Sequence, residues 1–242
     1  LVINNDIESR EEITEGLPCN VITFGKRPGS RYQAEAIRFD ELARATFDLK
    51  VDGNVVDTVT LGVPGEHNVY NALSAIAAAR VLDIPMEAIK RGLGHFHGTN
   101  RRFEVKGEVG GLTIIDDYAH HPQEIAATLA AAKNYPHKKI WCVFQPHTYS
   151  RTAALLDDFA RVLLAADEVI LADIYAAREV NKLGVSANDI ALKIEEYGKR
   201  VHYLPSFDEI ETFILENCVP GDLLITMGAG DIVKVGEKLL GK

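Results

Sequence analysis

The sequence predicts an α/β protein whose second half is a Rossmann-like, mostly parallel sheet with helices on both faces. Three observations lead there. Short apolar runs alternate with helical segments after about residue 100. Polar and charged residues gather where those runs end, the edge at which such sheets bind ligands. Hydrophobic residues are 47% and charged residues 25% of 242, enough for a sizeable core and no reason to expect disorder.

Before Gly98-Thr99-Asn100 the chain is rich in β-like runs: Val21–Phe24, Tyr32–Phe39, Thr46–Val51 and Val55–Leu61. Asp52-Gly53 between the last two is a hairpin signal. An alanine-rich helix follows from about His67 to Leu82, and another starts near Pro85, a residue suited to a first helical turn. After Asn100 comes a hairpin, Arg102–Val109 and Leu112–Asp116, turning at Gly110-Gly111. Strands at Ile140–Gln145, Glu168–Ala172, Val201–Leu204 and Leu223–Met227 then alternate with helices. The helices are expected at Pro122–Lys133, Ser150–Ala165, Ser186–Tyr197, Ser206–Asn217 and Asp231–Leu240, with Ser186 and Ser206 as N-caps. Two domains are expected, residues 1–98 and 99–242. No internal repeat or low-complexity stretch interrupts them. The chain begins at Leu1 in what reads as a strand already under way, which points to a piece of something longer.

Several function classes are disfavoured. The net charge is -9 and there is no basic block, against nucleic-acid binding. No apolar run approaches the roughly 20 residues of a membrane span, and no signal peptide is visible. Cys19, Cys142 and Cys218 lie far apart and suggest no disulfide framework, which fits a reducing cytoplasm. Cys142, inside an apolar run, reads as a buried thiol.

Four strand ends carry the polar residues: Asp116 to Pro122, Gln145 to Arg151, Asp173 to Glu179 and Gly228 to Asp231. Together they predict one rim of mixed charge. Asp116, Asp117, His120 and His121 could ligate a metal, or the aspartates could cap the next helix. No metal site is assigned. Gly228-Ala229-Gly230 could cradle a phosphate or be a tight turn, and it is not a dinucleotide fingerprint. Ser150 near His147 lacks the strand-turn-helix context of a nucleophile. Arg101, Arg102 and Arg151 suit phosphate or carboxylate, or surface ion pairs. Asn68 and Asn71, three apart on a helix, share one face and suit the amide-like edge of adenine; Asn68 could instead help cap the helix.

These strings resemble the Mur ligase family: Asp116-Asp117-Tyr118-Ala119-His120-His121-Pro122, Phe144-Gln145-Pro146-His147-Thr148-Tyr149-Ser150-Arg151-Thr152 and Thr226-Met227-Gly228-Ala229-Gly230-Asp231. Pro64-Gly65-Glu66-His67-Asn68-Val69-Tyr70-Asn71-Ala72 and Arg101-Arg102-Phe103-Glu104 fit the same family. The resemblance runs in order along the whole chain and favours the branch that joins L-alanine to UDP-N-acetylmuramic acid. It implies residues 1–98 as the end of an α/β central ATPase domain and 99–242 as the carboxy-terminal domain. The family's Gly-Lys-Thr phosphate loop is not in these residues.

By the resemblance, ATP with Mg2+ phosphorylates the sugar's lactyl carboxylate, and the alanine amine attacks the acyl phosphate. Asn68 and Asn71 would then contact adenine, Arg102 the ATP phosphates and Asp117 the ribose or phosphate region. Tyr118, His120, His147 and Arg151 would line the alanine site, with Arg151 on the carboxylate and Asp117 and His120 as catalytic residues. Many members carry arginine where this chain has Thr148. Rivals are a murein tripeptide recycling ligase, folylpolyglutamate synthase, a non-catalytic nucleotide-binding module and a nicotinamide-dependent oxidoreductase. The Gln145-Pro146-His147 run argues against the first, and the missing Gly-rich first βα turn against the last.

Overall fold

The computed structural model describes all 242 residues. They form two compact units, Leu1–Gly98 and Thr99–Lys242.

In the first unit five strands lie in chain order: β1 (Val2–Asn4), β2 (Ile22–Gly25), β3 (Tyr32–Phe39), β4 (Arg44–Val51) and β5 (Asn54–Pro64). The first three run parallel and the last two return antiparallel. In β4, Ala45, Phe47 and Leu49 alternate inward and are fully buried, the period-two pattern of a strand with one covered face. Asp52 and Gly53 both take positive φ (49° and 83°), as the two-residue hairpin turn requires.

A short helix the sequence did not suggest, α1 (Arg10–Thr14), bridges β1 and β2. Helix α2 (His67–Val81) buries Val69, Ala72, Leu73, Ile76 and Ala77, a stripe at helical spacing, against the sheet. Helix α3 (Met86–His95) begins one residue after Pro85, which takes an extended cap conformation rather than a place in the first turn.

The second unit opens with an antiparallel hairpin, β6 (Glu104–Val109) and β7 (Leu112–Asp117). Then follow α4 (Pro122–Lys133), β8 (Ile140–Phe144), α5 (Tyr149–Ala154), α6 (Leu156–Leu163), β9 (Glu168–Leu171) and α7 (Ala187–Glu196). The chain ends with β10 (His202–Tyr203), α8 (Phe207–Asn217), β11 (Leu223–Met227) and α9 (Val233–Leu239). The sheet order is β10-β9-β8-β11-β7-β6, parallel except for the edge strand β6.

Side chains of these strands alternate between two cores. One packs Ile115, Cys142, Phe144 and Ile225 against α4, α6 and α7. The other packs Ile114, Trp141, Val143 and Leu224 against α8 and α9. The helix that follows β8 therefore lies on one face and the helix that follows β11 on the other. The carboxyl ends of these two neighbours are the place where the winding reverses, where open α/β sheets form a crevice.

Local chemistry sets the helix starts. Ser206 and Glu209 form a reciprocal capping box: each backbone N–H donates to the other's side chain, at 3.2 and 3.3 Å. Ser186 N–H donates to Asp189 at 2.7 Å in the same arrangement. The helix expected over Ser150–Ala165 is broken. Leu155 leaves helical geometry (φ −120°, ψ 21°), ending α5 and starting α6. No glycine or proline marks this break. Asp157 and Asp158 in the first turn of α6 favour a fresh helix start. No helix is long and apolar enough to cross a membrane.

Candidate functional site

The rim at the carboxyl ends of β7, β8, β9 and β11 has two layers. The inner layer is buried and spends its polarity on itself. Asp116 is fully buried; its carboxylate accepts from Arg101 Nε at 2.8 Å and from Thr226 Oγ1 at 2.7 Å. The other two arms of the Arg101 guanidinium donate to the carbonyls of Gly230 (2.9 Å) and Gly228 (2.8 Å). Arg101 is therefore not free to take a phosphate. It ties β7 to the glycine turn after β11.

Asp117 accepts from the backbone N–H of Ala119 at 2.8 Å and of Phe103 at 2.9 Å, so it fixes the two loops that carry Arg102 and Tyr118. Burial pushes both carboxyls above the usual range, against the pull of Arg101 and Thr226 on Asp116 and of the Ala119 and Phe103 N–H groups on Asp117.

Neither aspartate caps α4. That place falls to His121, whose Nδ1 accepts from Gln123 N–H at 3.4 Å, with Pro122 following at the first helical position. Glu124 completes the box by accepting from the N–H groups of His120 and His121. Burial raises the Glu124 carboxyl, but these N–H groups and nearby positive charge outweigh it and hold it below its ordinary value.

Gly228 and Gly230 must be glycine. A Cβ on Gly228, at φ +149°, would lie 2.7 Å from the Gln145 carbonyl. One on Gly230 would lie 2.2 Å from Gln145 Oε1 and 2.7 Å from the Tyr175 ring. Gln145 closes this contact by accepting from Ile232 N–H and donating to Asp231. The glycine turn is thus a packed junction filled by Gln145 and Tyr175.

The outer layer keeps hydrogen-bonding capacity in hand. Arg102 is half exposed. It lies over the Tyr118 ring at 5.7 Å, with only a 3.8 Å approach to Glu124. Tyr118 meets His120 edge-on at 5.5 Å, His120 lies 5.9 Å from His147, and His147 stacks on Tyr175 at 5.7 Å and 20°. Arg151 reaches His147 Nδ1 at 3.2 Å. Burial, then the charges of Arg151 and His120, hold the His147 imidazole below its ordinary value.

Thr148 holds a positive φ of 69° just before α5 and donates its N–H to the Tyr175 carbonyl. Ser150 is engaged by Glu179, through both its N–H and its hydroxyl. Cys142 lies in the core, its thiol pushed up to about 12 by burial.

In the Leu1–Gly98 unit, Asn68 and Asn71 face the same way on α2. Asn71 Nδ2 donates to Asn68 Oδ1 at 2.9 Å, and Asn68 Nδ2 donates to the Pro64 carbonyl at 2.7 Å. The second bond ties the helix start to the end of β5. Asn71 Oδ1 appears in none of these bonds, and the residue is exposed. Asn71 is therefore the amide left open to a planar base edge, and Asn68, half-buried and bonded through both its amide atoms, holds it in place.

The structure therefore brings Arg102, Asp117, Tyr118, His120, His147 and Arg151 to one rim, and Asn68 and Asn71 to one helix face. Sequence reasoning missed Arg101, Gln145, Tyr175 and Glu124 as the supports of that rim. The spacing His121-x-x-Glu124 could have revealed the capping box; the seat of Tyr175 on Gly230 has no local signal. No group of three His, Cys, Asp or Glu side chains is arranged to hold a metal ion.

Comparison with known proteins bears on the whole chain. Residues 101–230 match the Mur ligase, glutamate ligase domain, and residues 1–79 match the Mur ligase middle domain. A UDP-N-acetylmuramate–L-alanine ligase from Lachnospira eligens is 57% identical over 99% of this chain and 52% of its own length. The solved UDP-N-acetylmuramate-alanine ligase of Thermotoga maritima is 28% identical, with a TM-score of 0.77 over 91% of this chain and 47% of that one. A murein peptide ligase from Psychrobacter arcticus is 25% identical, with a TM-score of 0.67 over 99% of this chain and 50% of that one. The chain spans about half the length of the curated relatives it matches.

Proposed function

The chain belongs to the Mur ligase family, and from that premise we propose that it serves a cytoplasmic, ATP-dependent ligase that joins L-alanine to UDP-N-acetylmuramic acid for peptidoglycan synthesis. Residues 1–98 act as part of the middle, nucleotide-binding domain and residues 99–242 as the amino-acid-binding domain. The observation that carries this reading is the outer rim, where Arg102 and Arg151 flank Tyr118, His120 and His147 at the reversal of the sheet. A guanidinium at each end suits two anionic groups, and the aromatic stretch between suits a small side chain.

ATP supplies the phosphoryl group that turns the sugar's carboxylate into an acyl phosphate. In this chain Asn68 and Asn71 hold the adenine edge and Arg102 meets the phosphates. Arg151 pairs with the alanine carboxylate, and Tyr118, His120 and His147 line that subsite. Asp117 acts through the loops it holds, setting Arg102 and Tyr118 at the site, because both its oxygens already accept from backbone N–H groups. Mg2+ is expected with ATP, and no group of three His, Cys, Asp or Glu side chains in this chain is arranged to hold it. With no covalent nucleophile required, positioning and charge complementarity do the work.

Phosphate release from ATP by the full-length protein that carries this chain tests the reading. With UDP-N-acetylmuramic acid and magnesium present, release is expected to depend on L-alanine. Release that depends instead on a tripeptide substrate would reassign the protein to murein recycling. Nucleotide binding without any substrate-dependent release would make it a binding module.

A further inference from the structure

The two rim histidines are partnered in opposite senses. His120 Nδ1 lies 2.9 Å from the Tyr118 carbonyl oxygen, which can only accept. His120 Nδ1 therefore carries a proton, and the Glu124 carboxylate 3.5 Å from the same nitrogen favours it. In the neutral ring, Nε2 is then a bare lone pair. His147 Nδ1 instead lies 3.2 Å from an Arg151 Nη1, and a guanidinium can only donate. His147 Nδ1 is therefore unprotonated and its proton sits on Nε2.

The surroundings hold both arrangements. Turning either ring over would put a C–H where the partner's hydrogen bond stands. His147 is also stacked on Tyr175, whose backbone bonds to Pro146 and Thr148 on both sides of it. Arg151 and His120 both oppose a second proton on His147, and Glu179 is the one nearby charge that favours it.

We propose that His120 and His147 are a split pair locked in opposite tautomers, His120 a proton acceptor through Nε2 and His147 a hydrogen-bond donor through Nε2. The roles rest on the ligase reading given above. His120 takes one proton from the ammonium of the incoming amino acid and passes it to solvent. The freed nitrogen lone pair forms the C–N bond to the acyl phosphate carbon. His147 Nε2–H holds the oxygen that becomes negative in the tetrahedral adduct. As the adduct collapses, the C–O bond to phosphate breaks, a second nitrogen proton leaves with the phosphate, and the third stays on the amide.

The test has two arms on the full-length protein. Two-bond 15N–1H correlation spectra of 15N-histidine-labelled protein near neutral pH report each tautomer, with His120→Gln and His147→Gln assigning the signals. The expected result is Nδ1–H for His120 and Nε2–H for His147. A shared tautomer, or the reverse assignment, overturns the pair whatever the activity.

In the kinetic arm, His120→Gln is expected to lower alanine-dependent turnover by roughly 10²–10⁴-fold, with partial recovery as pH rises. His147→Gln keeps a donor near the Nε2 position and is expected to retain at least about tenfold more turnover than His147→Asn, a smaller share of the roughly 10²–10³-fold one such donor can supply. Equal rates for the two His147 variants, or near-full rates for His120→Gln, overturn the roles. No alanine-dependent turnover in the unaltered protein removes the ligase reading and the roles with it, while the spectra still decide the tautomers.

Discussion

The two ends of the sheet in the Thr99–Lys242 unit are both polar, and only one of them reads as a site. At the amino end, Asp222 accepts from Trp141 Nε1 at 2.9 Å and from Val219 N–H at 3.1 Å. Gly111 is pressed against Pro220, and Lys138 Nζ donates to the Pro220 carbonyl. These groups close on one another and hold a turn. The carboxyl end has an equally closed inner layer in Arg101, Asp116, Asp117 and Gln145, but above it stands an outer layer with donors and acceptors left over. A buried charge is thus no mark of a site by itself. Unspent hydrogen-bonding capacity at the reversal of a sheet is.

That contrast can be broken from either side. The largest expected effect is at Asp116. Removing it in Asp116→Ala strands the Arg101 guanidinium and frees the glycine turn, at a cost of about 3–5 kcal/mol. Chemical denaturation measures this, and a loss below about 1 kcal/mol would place Asp116 outside the inner layer. Next comes Gly230→Ala, whose Cβ meets Gln145 and Tyr175. About 2–3 kcal/mol is expected, together with altered near-ultraviolet dichroism as the Tyr175 ring moves.

A pH effect sharpens the comparison further. Burial and then Arg151 depress the His147 imidazole, so the folded state binds fewer protons than the unfolded chain near the ordinary value of 6.5. Stability from this group is present above about pH 6.5 and lost as pH falls through that range. The buried Asp116 and Asp117 carboxyls, pushed the other way, contribute with opposite sign in the acid range. Melting temperatures across the histidine range are expected to fall less steeply in His147→Gln than in the unaltered chain. The smallest effect belongs to the amino end: Asp222→Asn keeps an oxygen for Trp141 and Val219 and is expected to change stability by less than about 1 kcal/mol.

Much of this fold was legible in the chain, because strand and helix periods differ and the turn residues are explicit. The hairpin at Asp52-Gly53, helix α4 and strand β11 stand where the patterns put them. The break at Leu155 was not legible, since no glycine or proline marks it and the acidic first turn of α6 is its one local sign. Neither was the division of labour between Arg101 and Arg102. Adjacent arginines look alike in sequence. One turns inward onto Asp116 and two carbonyls that lie more than a hundred residues away, and only the assembled sheet brings those partners together. The polar strand ends were visible as a rim, but which of their groups are spent depends on long-range contacts such as Gln145 with Ile232.

The most direct test of the two-layer account is Arg151→Ala in the full-length protein, read as Michaelis constants for alanine and for ATP alongside the melting temperature. The alanine constant is expected to rise by at least about tenfold, in keeping with about 1.5–3 kcal/mol for a hydrogen bond to a charged group, while the ATP constant and the melting temperature stay nearly unchanged. An unchanged alanine constant, or a loss of stability like that expected for Asp116→Ala, would place Arg151 in the inner layer and contradict the account.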